Sequence, residues 1–85
     1  MLTDKEIEQV EQRVNQAQPG PWKACIEGRD HQSGADFIMT GTDDNSGEDI
    51  EIIAGTIADY EFIANARQDI PKLIETIRAL KQSRQ

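Results

Sequence analysis

Cysteine is all but missing from this chain. Cys25 stands alone among 85 residues, which rules out an intrachain disulfide and a zinc-type ligand set. Aromatic side chains are scarce as well: Trp22, Phe37, Tyr60 and Phe62 are all there are to fill a core. Positive charge is in deficit, with 9 Lys and Arg against 16 Asp and Glu and a net charge of −7. Nucleic-acid polymers are poor partners for such a chain, because binding them needs a basic stripe that neutralises phosphates. No run approaches the ~20 apolar residues of a membrane span. The N-terminus has no basic-plus-apolar signal segment, so a cytoplasmic location without membrane contact is expected.

What remains fits one small domain spanning residues 1–85. A chain of this size buries only roughly 60% of its surface. Small domains without disulfides or metals commonly gain the missing stability by self-association, so a homo-oligomer is expected.

The opening segment reads as an amphipathic helix. Thr3 and Glu6 have capping-box spacing, Leu2 and Ile7 stand at staple positions, and Ile7, Val10, Val14 and Ala17 recur at helical spacing. Pro19-Gly20-Pro21 ends it. The period then changes to two, and three antiparallel strands are expected over Trp22–Glu27, Phe37–Thr40 and Ile50–Ala54. Two further helices are expected. Asp59 would cap the first; Asp69 would cap the second, with Pro71 in its first turn and the last residues, Lys81 to Gln85, frayed. Ile70, Ile74 and Ile77 with Leu73 and Leu80 form an apolar seam that covers the sheet or pairs with the same helix of another subunit. The fold class is therefore α+β: a three-stranded antiparallel sheet covered by helices, in the order α-β-β-β-α-α.

Catalytic and metal signals are weak. Cys25 and His31 are six positions apart, but no nucleophile elbow or phosphate loop accompanies them, and Cys25 also fits as a small buried hydrophobe. The donor-rich stretch Asp43–Asp49 departs from calcium-loop spacing and reads as a solvated hairpin tip. No cofactor or metal is implied, and a non-enzymatic role is expected.

One loop stands out in so acidic a chain. Glu27–Asp36 gathers Arg29, His31 and Ser33 between glycines, a fork and several donors suited to phosphate. Arg67 and Lys72 flank the expected helix junction, where unpaired N–H groups attract anions. If the two regions meet, Trp22, Arg29, His31, Ser33, Arg67 and Lys72 form a nucleotide-type site, with Trp22 or Tyr60 as stacking surface. The competing reading pairs Arg29 with Asp30 or Glu27, pairs Arg67 with Asp69 or Glu61, and places Trp22 in the core.

The segments QAQPGPW and ADYEFIANARQDIPKLIETIRALK resemble small phage- and prophage-encoded proteins in which a helix ends in a PGPW segment and a FIA-AR-D-P-L helix pair follows. The lambdoid Ead-type early-region proteins are similar in outline. The resemblance implies a phage or prophage origin. By class-level analogy, small non-catalytic phage proteins that assemble into oligomers sequester nucleotide second messengers of bacterial defence. The first functional expectation is such a sponge. The alternative is an acidic inhibitor that uses Glu6, Glu8, Glu11, Asp43, Asp44, Glu48 and Asp49 to mask a basic host protein surface.

Overall fold

The computed structural model describes residues 1–83. The elements are α1 (Asp4–Gln16), β1 (Trp22–Cys25), β2 (Phe37–Thr42), β3 (Asn45–Ser46) and α2 (Ile57–Gln82). The sheet has three antiparallel strands in the order β1-β2-β3. This is the expected α+β class, with a helix before the sheet and helix after it. Trp22 faces Thr40 and Ala24 faces Ile38 across the first pairing.

Local chemistry sets the helix ends. Thr3 Oγ1 accepts from the Glu6 N–H at 3.1 Å and Glu6 Oε1 accepts from the Thr3 N–H at 2.9 Å, so two orphan amides at the start of α1 are satisfied reciprocally. α1 stops at its cap, Ala17, just before the Pro19-Gly20-Pro21 segment. The Gly20–Pro21 peptide bond is cis.

The two helices expected after the sheet are one continuous helix of 26 residues. Its cap is Thr56 rather than Asp59: Thr56 Oγ1 accepts from the Asp59 N–H at 3.1 Å, and Asp59 Oδ2 accepts from the Thr56 N–H at 2.9 Å. Asp69 is exposed in mid-helix and caps nothing. Pro71 lies in the interior and has no N–H for the carbonyl one turn earlier. Packing carries the helix through this defect, since Tyr60 and Ala64 before the proline and Ile74 after it are all buried. Of the expected fraying, Lys81 and Gln82 are helical with Ser83 as cap, while Arg84 and Gln85 lie outside the described residues.

The third strand also differs from expectation. β3 is Asn45–Ser46, and only Ile50 of the expected Ile50–Ala54 pairs with β2, exchanging both backbone hydrogen bonds with Ile38 at 2.7 and 2.9 Å. Gly41 faces Ser46 but Ile38 faces Ile50, so three steps along β2 match four along its partner. The extra residue bulges at Glu48–Asp49. Side chains absorb it: Thr40 Oγ1 donates to the Glu48 carbonyl at 2.7 Å, and the Glu48 N–H donates to Gln18 Oε1 at 3.0 Å.

Ala24, Ile26, Ile38, Tyr60 and Ala64 form the core, with Trp22, Ile50 and Ile52 against its rim. α1 runs antiparallel to α2, tied by Asp4 to Lys81, by Glu11 to Arg78 at 2.7 Å and by the Gln18 carbonyl to Arg67 Nε at 2.9 Å.

Acid sensitivity follows from three carboxyls whose pKa values are held down. Glu6 is lowered by the Thr3 N–H and hydroxyl, Asp59 by the Thr56 N–H and hydroxyl, and Asp30 by Arg29 and then the Ile26 N–H. Each binds a proton more readily in the unfolded chain than in the folded one. Their stabilisation is therefore complete above the unfolded carboxyl range, about pH 4, and is lost as pH falls through the folded values. Thermal melts should be level from neutrality to about pH 5 and decline below that. Glu6→Gln combined with Asp59→Asn should flatten the decline; an unchanged acid limb would refute the assignment.

Candidate functional site

The structure divides the six sequence-nominated residues among three places. Arg29, His31 and Ser33 stay together in the loop between β1 and β2. Trp22 and Arg67 meet elsewhere, in a cleft between α1 and α2. Lys72 is exposed on α2.

The β1–β2 loop is already occupied by the chain's own carboxylates. Arg29 Nη2 contacts Asp30 Oδ2 at 2.8 Å and Glu61 Oε1 at 2.7 Å. Asp30 and then Glu61 push the guanidinium pKa further above its ordinary range. Several amides in and beside the loop are spoken for as well. Ile26 N–H donates to Asp30, Glu27 N–H to Asp36, and Gly34 N–H to Glu27, each at 2.8 Å. Gly28, at φ +81°, closes the turn by donating to the His31 carbonyl at 2.8 Å. Internal oxygens thus sit where the amides and fork would meet an external anion.

His31 packs against Phe37 with ring centroids 4.9 Å apart. Its Nδ1 lies 2.7 Å from Ser33 Oγ and 3.0 Å from the Ser33 nitrogen, while Nε2 lies 3.3 Å from the Cys25 carbonyl. A hydroxyl on an imidazole nitrogen is the start of a nucleophile–base pair, but acyl transfer also needs donors for the oxyanion. The nearby Gly34 and Gly28 amides are committed to Glu27 and His31. Cys25 is buried, 8% exposed, and its thiol lies 3.8 Å from the Lys23 carbonyl. The geometry is that of a self-bonded loop.

The second region is an apolar cleft of about 240 Å³, lined by Val10, Val14, Ala17, Trp22, Ile63, Ala66 and Ile70, with Arg13 and Arg67 at its edges. The Trp22 indole N–H donates to the Gln18 and Pro19 carbonyls, both at 3.2 Å. Arg67 is half-buried and uses Nε to hold the Gln18 carbonyl, so it fastens the end of α1 to α2. Tyr60, the other nominated stacking ring, is 3% exposed and belongs to the core.

The third region is the acidic edge. Asp43, Asp44, Glu48, Asp49 and Glu51 are all exposed, and no Lys or Arg lies among residues 43–51. None of the ion pairs among the described residues involves these five. Glu6 and Glu11, also nominated for an acidic surface, are committed to the α1 cap and to Arg78. Among the described residues no group of three or more His, Cys, Asp or Glu side chains is placed to hold a metal ion. No helix among them is long and apolar enough to cross a membrane.

Two glutamines organise this architecture and were not singled out in the sequence. Gln68 Oε1 accepts from the Trp22 N–H at 2.8 Å and its Nε2 donates to the Trp22 carbonyl at 3.0 Å, so one amide acts as a short strand against β1. Gln18 Oε1 accepts from the Glu48 N–H and lies 3.1 Å from Thr40 Oγ1, and the Gln18 carbonyl accepts from Trp22 and Arg67. A lone Gln beside a Pro-Gly-Pro stop carries no periodic signal to announce that role. No protein-family model, curated protein or solved structure matches the chain.

Proposed function

We propose that this chain is a non-catalytic binding protein that covers a basic surface of another protein with its acidic β2–β3 edge. The observation that carries the reading is a contrast in how charge is used. Arg29, the centre of the expected anion site, is taken by Asp30 and Glu61, whereas the five carboxylates between Asp43 and Glu51 form no ion pair among the described residues. Unpaired charge on one edge steers association with an oppositely charged partner and weakens with salt. In the phage or prophage setting that the PGPW resemblance implies, the partner would be a host protein with a basic face. The same carboxylates also keep the open edge of β3 from pairing with stray strands, a role that needs no partner.

Immobilised protein incubated with bacterial lysate at low and at high salt separates these roles. A partner should be retained at low salt, released at high salt, and lost from a variant combining Asp43→Asn, Asp44→Asn, Glu48→Gln and Asp49→Asn. Capture that ignores both salt and the variant would reject the proposal.

A second reading, sequestration of a phosphate-containing signalling nucleotide, draws support from the meeting of Trp22 with Arg67 and Arg13 around the apolar cleft. A flat base could lie in the cleft with its phosphate towards the two guanidinium groups. Calorimetry with cyclic and ADP-ribose-type nucleotides should then give heat that Arg67→Ala abolishes. Absence of heat with all of them would leave the acidic edge as the only candidate.

A further inference from the structure

The sheet covers only part of α2. Tyr60, Ala64 and Gln68 engage it, while the later turns of α2 have α1 alone beside them. The molecule is accordingly long, 52 × 28 × 19 Å, with a radius of gyration of 15.5 Å against about 12 Å expected for a compact chain of this length. In this projecting two-helix arm the buried apolar side chains are Ile7 and Ile74. Leu73 and Leu80 remain 60% and 56% exposed, and Phe62, further back on α2, 76%. Two helices cannot enclose a core, and an apolar stripe of this extent marks a contact surface.

Spacing along the stripe says what kind of surface covers it. Ile63, Ala66, Ile70, Leu73, Ile77 and Leu80 follow one another at alternating steps of three and four, a heptad seam about 27 Å long. The seam is also complementary to itself. When a second α2 is laid antiparallel across a two-fold axis between Pro71 and Lys72, each large residue faces another member of the same series. Ile70 then faces Leu73, Ala66 faces Ile77, and Ile63 faces Leu80 of the other copy. The smallest member, Ala66, lines the apolar cleft, which leaves room for the opposing Ile77 to enter as a knob into a hole.

Charge permits the same arrangement. α2 carries four acidic residues (Asp59, Glu61, Asp69, Glu75) and four basic ones (Arg67, Lys72, Arg78, Lys81), so it is neutral, whereas residues 43–51 hold five of the negative charges and no positive one. Two copies can meet along α2 without bringing their acidic edges into the contact. We infer that this chain forms a two-fold symmetric dimer in which the α1–α2 arms of two copies pack as an antiparallel four-helix bundle about the α2 seam.

Sedimentation equilibrium on the full chain in the micromolar range tests this. A species of twice the 9.5 kDa chain mass is expected. Leu73→Glu and Leu80→Glu, each at a position already exposed in the single chain, should halve that mass with the helical circular dichroism retained. A wild-type monomer, or a dimer that persists in both variants, would overturn the inference. Orientation is read from Ile63→Cys combined with Leu80→Cys: oxidation should link position 63 of one copy to position 80 of the other, and 63-to-63 links would exclude the antiparallel bundle.

Discussion

Ile38→Ala is expected to lower the midpoint of thermal unfolding by on the order of 15 °C, close to removing the folded state at physiological temperature. Ile38 is 0% exposed and lies on β2, the central strand of the sheet. Its side chain belongs to the cluster with Ala24, Ile26, Tyr60 and Ala64, and its backbone pairs with Ala24 on one side and Ile50 on the other. Truncation removes the transfer free energy of three carbons and leaves a hole whose walls are strands and a helix fixed by their own hydrogen bonds. Partial relaxation of that kind costs about 3 kcal/mol for Ile→Ala. A domain of this length has total stability of roughly 4–13 kcal/mol, so the loss is a large fraction of it. Ile38→Val serves as the control, with an expected cost of about 1 kcal/mol. Melting must be compared at equal protein concentration, because association raises the apparent stability. Should Ile38→Ala melt within two or three degrees of the parent, the core is not centred where the structure places it.

Legibility in the sequence followed the length over which a signal repeats. The capping box of α1, its narrow apolar face and its Pro-Gly-Pro stop are all local and all present. The period-two run from Trp22 gave β1 its correct start, whereas of the hairpin tip expected over Asp43–Asp49 only Asp43 and Asp44 form the turn, since Asn45–Ser46 are β3. Where the reading failed, a tertiary contact displaced a local preference. Asp69 followed by Ile-Pro has the form of a helix start, yet α2 passes through it because buried Tyr60, Ala64 and Ile74 hold both halves to one axis. Thr56, three residues ahead of Asp59, is the true cap, and the local sequence does not choose between the two because Asp59 is itself a good capping residue.

The candidate site was legible in its residue types and not in its connections. Arg29 beside Asp30 offered either an anion clamp or an internal pair, and Glu61, 32 positions away, decides for the pair. Trp22 and Arg67 were nominated together, and they do meet, through the carbonyl of Gln18 that both of them bind. Residue type alone suits both arginines to one concavity, whereas Arg29 belongs to the β1–β2 loop and Arg67 to the helix cleft. Such couplings depend on which turn of α2 lies over which strand, information held by the fold as a whole.

Tyr60→Phe is the sharpest probe of that coupling, because it deletes one oxygen and keeps the ring. The phenolic oxygen accepts from the Ile52 N–H at 3.0 Å and lies 3.1 and 3.2 Å from the Ile52 and Asp36 carbonyls, to one of which it donates. This hydroxyl explains why Ile50–Ala54 is no strand despite its β-rich composition. Past Ile50 the run has no further partner on β2, which begins at Phe37, and the Asp36 carbonyl before it faces Tyr60 instead. Ile52 turns in against the core while Ile53 is 98% exposed, so a period of two survives without a ladder. Removing the hydroxyl strands a half-buried N–H and a carbonyl at once, a cost of about 2 kcal/mol. Amide exchange should quicken at Ile52 and its neighbours well before the amides of β1 and α2 respond, since those keep their own ladders. The segment concerned carries Asp49 and Glu51, so its loosening should also weaken salt-sensitive capture of a basic partner in proportion to the disorder of that edge. Uniform exchange across the whole domain, with no local excess near Ile52, would show that the tyrosine supports the fold only through its ring.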